Sequence, residues 1–312
     1  MPPGSSIRVT ACVVTFNNER AISTCLRSAL DQTGVDLDLV VIDNASSDST
    51  RKVIRELAAD RVELVEQASN AGFAAAMNLA IECAAAPLIL LLNPDVVLRE
   101  NCVATLAANL NDPRVAAVQP KLLVDHDETT GRATIDSVGV RVDYARIDAR
   151  DIGHGLADRG QWRSAREIFG PTGACALWRR NALLELRERT GIFDERFFAY
   201  YEDVDLAWRA RRRGFRFLII PEAVALHARK NPPHHGTEVD ARAFANRWLV
   251  FAKNASAAQL VRAPARLALI DLPRLCARTI LRGGHGVAWR RLLIDIPRVL
   301  AARIRRNVVR GP

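Results

Sequence analysis

Four apolar runs set the rhythm of the first 120 residues. RVTACVVTF (8–16) and DLVVID (38–43) are continuous β-branched stretches, VELVEQ (62–67) is shorter, and PLILLLN (87–93) is wholly apolar. Unbroken apolar runs of this kind are expected of strands buried on both faces. Between them the apolar positions recur at helical spacing over 18–31, 48–59 (after an Asp-Ser-Thr start), 73–85 and 100–110. Strands alternating with helices of about 10 to 15 residues predict βαβ units, and hence a Rossmann-like, mainly parallel central sheet flanked by helices.

The polar residues gather where the strands stop. The first run ends in Thr15-Phe16-Asn17-Asn18, the second in Asp43-Asn44, and the fourth in Asn93-Pro94-Asp95. Parallel topology puts these ends on one rim, where open α/β sheets bind ligands. Asn, Asp and Pro also make ordinary turns and helix caps, so each end alone supports either reading. SNAGFAAAMNLA (69–80) runs from a polar turn into a helix, with Asn70 and Gly72 at its start. Small residues there let backbone amides approach phosphate. Asn78, inside that helix, reads as a further ligand or as a plain surface amide. Neither GxGxxG nor GxxxxGK[ST] occurs, so neither a dinucleotide site nor a P-loop is indicated. Further on, YYEDVDLAWRARRRG (200–214) packs Glu202, Asp203 and Asp205 ahead of a run of arginines. Acid in a first turn and base in a last turn complement the helix dipole, so this clustering alone does not require chemistry.

Composition adds constraints. The chain of 312 residues is 49% hydrophobic and 25% charged, ordinary for a globular protein, and no run is long and apolar enough to span a bilayer. MPPGSSIRVTACVV lacks a basic n-region, so a signal peptide is not expected. Six scattered cysteines without a CxxC pair read as buried free thiols of a reducing cytosol. Charge is uneven: residues 241–312 hold 15 Lys and Arg against 2 Asp and Glu, whereas residues 1–240 hold 29 against 33. The segments 258–281 and 287–310 read as basic amphipathic helices, interrupted by Pro264, Pro273, Gly283, Gly284 and Pro297. Few aromatics lie among these arginines, which disfavours nucleic acid as the partner. An anionic membrane surface suits the tail, as does packing on the preceding domain.

The motifs VVTFNNE, VVIDNASSDST, NAGFAAAMN, LLLNPDV, GPTGACALWRR, FDERFFAYYEDVDLAWRARRRGF and PEAVALHARK, in this order, resemble those of family 2 inverting glycosyltransferases with the GT-A fold. NPDV, and the Gly-rich stretch 135–162, resemble the rhamnosyltransferase-like branch. The resemblance implies residues 1–238 as the catalytic domain, with 1–120 as its nucleotide-binding half and 121–238 as its acceptor-binding half. Residues 239–312 are then a basic helical extension.

The same resemblance distributes roles. Thr15, Phe16 and Asn17 would wall the nucleotide base, and Asp43 would accept from a pyrimidine N3–H. Asn70, Gly72, Asn78, Asn93 and Gly173 would approach the ribose, diphosphate or sugar. Asp95 and His227 would hold Mg²⁺ or Mn²⁺, a hard cation suited to a departing diphosphate. Asn93 stands where other members carry the first acid of DxD, which leaves Asp95 to work largely alone. Asp203 would be the general base, with Glu202 orienting the acceptor and Asp205 a local structural acid; inversion by single displacement needs one base and no protein nucleophile. The expected reaction is metal-dependent hexosyl transfer from a nucleotide diphosphate sugar to a glycan or polyprenyl-diphosphate-linked acceptor in cell-envelope polysaccharide biosynthesis, at the inner face of the plasma membrane. dTDP-L-rhamnose is the first expectation for the donor, with UDP-linked galactofuranose, glucose and N-acetylglucosamine open. Two other readings compete. A nucleotidyltransferase would want a Gly- and Arg/Lys-rich loop that FNNERA does not supply, and a non-catalytic sugar-binding protein would not need Asp95, Asp203 and His227.

Overall fold

In the computed structural model, which describes residues 6–57, 60–127, 132–228, 237–282 and 285–309, the four apolar runs are all strands. They are β1 (Ile7–Thr15), β2 (Val35–Asp43), β3 (Val62–Glu66) and β4 (Leu88–Leu92). Helices α1 (Ile22–Leu30), α2 (Thr50–Leu57) and α3 (Phe73–Cys83) connect them, and β5 (Val96–Leu98) and α4 (Cys102–Ala108) follow. β1 pairs in parallel with both β2 and β4, and β2 with β3. The chain therefore winds outward from β1 through β2 to β3, then returns to the other side of β1 as β4. That reversal leaves a crevice at the carboxyl ends of β1 and β4, where Thr15 and Asn93 lie.

Burial of both sheet faces explains the unbroken apolar runs. Val9, Ala11 and Val13 of β1 pack with Ile22 and Leu26 of α1 and with Val103 and Leu106 of α4. Cys12 and Val14, one pleat over, pack with Ala74, Met77 and Ala80 of α3.

The second half adds β6 (Val115–Asp127), β7 (Arg132–Ser137), β8 (Val140–Asp143), β9 (Asp148–Asp151), β10 (Arg166–Ile168), β11 (Cys175–Arg179) and β12 (Arg216–His227). Helices α5 (Arg180–Glu185), α6 (Glu202–Arg212) and α7 (Thr237–Asn254) lie among and after them. The large sheet runs β3-β2-β1-β4-β11-β6-β12-β10, with β5 on β12 and β7 on β6, while β8 and β9 form a separate hairpin. β11 is antiparallel to β4 and β6, and β12 is parallel to β6. The parallel sheet expected from the first 120 residues thus continues as a mixed one, because β11 reaches β4 by way of the β7–β10 excursion and not through a crossover helix.

The expected boundary at 238/239 does not separate two packing units. Trp248, Leu249 and Phe251 of α7 share a core with Phe197, Val204 and Trp208, from before that boundary. Asp205 is fully buried and takes bonds from Lys253 Nζ at 2.8 Å, Asn254 Nδ2 at 2.7 Å and Arg209 Nε at 2.8 Å. Lys253 Nζ also reaches Asp194 at 2.7 Å. Burial raises both carboxylates, but Arg196 and Lys253 outweigh it at Asp194, and Lys253 and Arg209 outweigh it at Asp205, so both stay below the usual range. Removing one partner of such a buried group leaves a charge uncompensated, at a cost of about 3–5 kcal/mol. α7 is therefore packed into the same unit as α6, and a chain ended near residue 240 would lose that support. Short helices from Ala263 to Val309 follow it. All six cysteines are free thiols; Cys12, Cys25, Cys102 and Cys175 are buried as expected, whereas Cys83 is half-buried and Cys276 is exposed.

Candidate active site

At the crevice between β1 and β4 lies a pocket of about 300 Å³, lined by Thr15, Phe16, Asn44, Asn70, Gly72 and Asn93 among others. The 69–72 turn is wired to the second rim loop by Asn44, whose Nδ2 donates to Asn70 Oδ1 at 3.0 Å and whose Oδ1 accepts from Ala71 N at 2.9 Å. Gly72 has φ 87° and passes so close to Phe198 that a Cβ would sit 2.5 Å from its ring. Only glycine fits there.

Three residues of the expected nucleotide set stand elsewhere. Asn17 Oδ1 accepts from Ser47 N at 2.8 Å, clamping the first two rim loops together. Asp43 is fully buried behind the pocket wall, where Oδ1 accepts from Arg51 Nε at 2.6 Å and from Ser46 N at 3.0 Å. Its Oδ2 is a spare acceptor, buried without a hydrogen-bond partner among the described residues. Asn78 is buried under α3, donating to Phe193 O at 2.9 Å and accepting from Phe193 N at 2.8 Å. Its amide pins a distant loop, so it is neither a ligand nor the surface amide of the alternative reading.

A larger cleft of about 630 Å³ adjoins this pocket and shares Phe73, Asn93, Asp95 and Ala199 with it. Asp95, His227, Gly173, Glu202 and Asp203 all line it, so the tertiary structure brings the chemically charged candidates to one place. His227 Nε2 lies 3.3 Å from Asp95 Oδ1, and its Nδ1 lies 2.8 Å from Oδ2 of the fully buried Asp136. Burial pulls the imidazole pKa down, but the hydrogen bonds to Asp136 and Asp95 outweigh it and lift the value to about 9. Sequence reasoning missed Asp136, whose only local signal is an acid inside the strand-like IDS of residues 135–137. An aspartate oxygen and an imidazole nitrogen at the edge of an open cleft fit a hard divalent cation whose other positions go to phosphate and water. A carboxylate behind the histidine is the usual partner of a ligating imidazole. Among the described residues no three His, Cys, Asp or Glu side chains form a closed metal cage.

Opposite them, α6 opens with the acidic pair. Asp203 Oδ2 accepts from Gly173 N at 2.8 Å and Oδ1 from Val204 N at 2.8 Å. Gly173 is thus the donor of the N–H that orients Asp203, and a Cβ on it would meet that side chain at an ordinary 3.5 Å. Burial, with Asp151 nearby, raises the Asp203 pKa against these N–H bonds. Glu202 is raised too, by burial first and by Asp203 second, and its Oε2 is buried without a hydrogen-bond partner among the described residues. Two N–H donors favour charge on Asp203, so the proton of the pair belongs on Glu202. Asp205, two residues on from Asp203 and so on the other side of α6, turns into the Lys253 and Arg209 cluster. The cleft wall facing the pair comes from the β8–β9 hairpin, through Ala149, Arg150 and Asp151, with His154 beyond. None of these four carried a motif in the sequence beyond the polar, Gly-rich character of 135–162.

A profile of glycosyl transferase family 2 matches residues 10–187. The chain belongs to this family. Over 64 residues, 20% of either chain, this family 2 transferase is 41% identical to an N-acetylglucosaminyl-diphospho-decaprenol L-rhamnosyltransferase of Mycobacterium tuberculosis. Over 87 residues, 28% of this chain and 34% of the other, it is 33% identical to a UDP-Glc:alpha-D-GlcNAc-diphosphoundecaprenol beta-1,3-glucosyltransferase of Escherichia coli. The chain spans about half or less of the length of the curated relatives it matches. Among solved structures, a mannosyltransferase from Pyrobaculum calidifontis in complex with GDP-Man and Mn²⁺ superposes with a TM-score of 0.58 at 21% identity, covering 96% of this chain and 84% of that one. That likeness is one of fold, and the fold is the GT-A arrangement that the motifs implied. The family match ends at residue 187, before α6 and β12 begin, so it does not reach Asp203 or His227.

Proposed function

We propose that this family 2 transferase moves a sugar, with inversion, from a nucleotide diphosphate sugar to a hydroxyl of a lipid-linked glycan acceptor in cell-envelope biosynthesis. The observation that carries the reading is a half-buried aspartate of raised pKa, Asp203, across one cleft from Asp95 and His227, with the β1/β4 rim pocket adjoining. The acceptor hydroxyl attacks the anomeric carbon, Asp203 takes its proton, and the nucleoside diphosphate departs from the opposite face. A raised pKa makes Asp203 a better proton acceptor than an ordinary carboxylate. Asp95 and His227 would hold Mg²⁺ or Mn²⁺, which when bound neutralises charge on the departing diphosphate. dTDP-L-rhamnose is the proposed donor, supported by the rhamnosyltransferase relative, and that relative's name also supports a polyprenyl-diphosphate acceptor.

A panel of nucleotide sugars with Mn²⁺, read by thermal shift and then by transfer, tests this. A ligand at 100 times its Kd stabilises the folded state by about 2.7 kcal/mol, enough to read as a rise in Tm. dTDP-L-rhamnose is expected to give the largest rise. A UDP-sugar that outperforms it would overturn the donor, and no rise with any sugar nucleotide would overturn the function.

The proposal includes attachment to the inner face of the plasma membrane. No helix among the described residues is long and apolar enough to cross a membrane. The C-terminal segment nevertheless leaves Val261, Leu269, Ile280, Leu281 and Leu293 more than two-thirds exposed, among the arginines counted above. An apolar ridge bordered by basic residues suits the interface plane of an anionic bilayer, where each Arg contributes about 1 kcal/mol and salt weakens the attraction. The full chain is expected to cosediment with anionic vesicles at low salt and to leave them as ionic strength rises. Leu269→Glu with Leu281→Glu should abolish cosedimentation without changing donor binding. Equal sedimentation of wild type and double variant would return the ridge to ordinary surface.

A further inference from the structure

The backbone that delivers Glu202 and Asp203 to the cleft is strained. Phe198, Tyr200 and Tyr201 have φ of 65°, 74° and 69°, left-handed values that side chains other than glycine rarely adopt. Strain of this kind persists only where the surroundings over-determine it. The turn also borders both cavities: Phe198 and Ala199 line the rim pocket, and Ala199, Tyr200 and Tyr201 line the cleft.

One side chain addresses its carbonyls. Asn246, on α7 and fully buried, donates through Nδ2 to Phe197 O at 2.8 Å, Ala199 O at 2.8 Å and Tyr200 O at 2.9 Å. Two amide hydrogens are shared among three acceptors, and only an N–H₂ group suits that cage of oxygens. Its Oδ1 is buried with no hydrogen-bond partner among the described residues, so the residue is turned wholly toward the turn. Arg242, one helical turn earlier, stacks on the Phe198 ring at 4.1 Å from its centroid. Immediately after Tyr201 the chain enters α6, whose first two residues are the acidic pair.

We infer that Asn246 is a positioning residue for sugar transfer: it holds the 197–201 turn in the left-handed conformation that aims Asp203 at the acceptor. The inference deepens the proposed function and rests on Asp203 as the base. It also explains why α7, outside the span matched by the family profile, is tied so closely to the catalytic half.

The test compares Asn246→Ala with Asn254→Ala, since Asn254 lies on the same helix but braces Asp205, away from the cleft. In the full chain, Asn246→Ala is expected to lower kcat by about 10- to 100-fold, the scale of a misplacement near 1 Å, with the donor KM unchanged. It should also speed amide hydrogen exchange within residues 197–203. Asn254→Ala should lower Tm, with kcat within about threefold of wild type and without faster exchange in that turn. Should Asn246→Ala fail to fold, Asn246→Ser keeps one short donor and should move kcat and exchange in the same direction by less. A kcat for the Asn246 variants within about threefold of wild type, or a loss matched by Asn254→Ala, would overturn the inference. The exchange measurement needs no substrate, so an unchanged turn sinks the clamp whatever the transfer assay shows. Absence of transfer by the wild-type chain itself would count against the proposed function instead.

Discussion

Asp203→Asn is expected to cut transfer by about 10²- to 10⁴-fold, the range of a lost general base, while leaving donor binding intact. The amide keeps one oxygen to accept a backbone N–H, but it cannot take the acceptor proton. A 10²-fold loss corresponds to about 2.7 kcal/mol of transition-state stabilisation. The linkage sign makes the stability outcome informative as well. A carboxyl whose folded pKa lies above its unfolded one binds its proton more tightly in the folded state. Its ionisation therefore costs stability at neutral pH, a cost relieved as pH falls through the raised pKa. Asp203→Asn removes that charge and should melt no lower than wild type. In the wild type, kcat/KM should fall on acidification at a pH above the ordinary aspartate value of about 3.9. Asp205→Asn should do the reverse, lowering Tm through the Lys253 and Arg209 cluster while leaving kcat nearly unchanged. Equal losses of kcat in the two variants would show that the base is assigned to the wrong acid.

Asp95→Ala is expected to remove most transfer, by about 10²- to 10³-fold, the scale of losing one electrostatic contact to a developing oxyanion. Asp95 is positioned for this by the backbone turn after β4 and by His227, whose other nitrogen Asp136 restrains. The substitution leaves the His227–Asp136 pair in place, so the fold and the apo Tm should be preserved. What should vanish is the extra thermal stabilisation that Mn²⁺ gives in the presence of sugar nucleotide. Excess EDTA should reduce wild-type transfer to a similar level. Full wild-type activity in EDTA, or an unaltered Mn²⁺ response in Asp95→Ala, would remove the cation from the proposal.

Much of this architecture is legible in the chain because its cause is local. RVTACVVTF, DLVVID and PLILLLN are apolar on consecutive residues, with no alternation, because β1, β2 and β4 are covered on both faces, and no distant contact is needed to see it. Parallel winding then dictates that Thr15, Asn93 and Asp95 share a rim. Side-chain direction past a strand end is another matter, since it depends on what the rest of the fold brings there. Asn78 looked like a ligand until Phe193, 115 positions later, came to face its amide. Asp136 looked like one polar residue among many until β7 placed it beside His227, 91 positions away. Asp203 and Asp205 share a helix turn and a charge, and only the packing of α7 against one side of α6 assigns the first to the cleft and the second to a buried ion cluster. Asn246 carries no motif, because its role is to satisfy three backbone carbonyls that become adjacent only when the 197–201 turn adopts left-handed angles. Periodicity and composition are properties of neighbouring residues, so they determined the elements and their order. The electrostatic environment of each acid is a sum over groups far apart in the chain, and tertiary structure alone decided it.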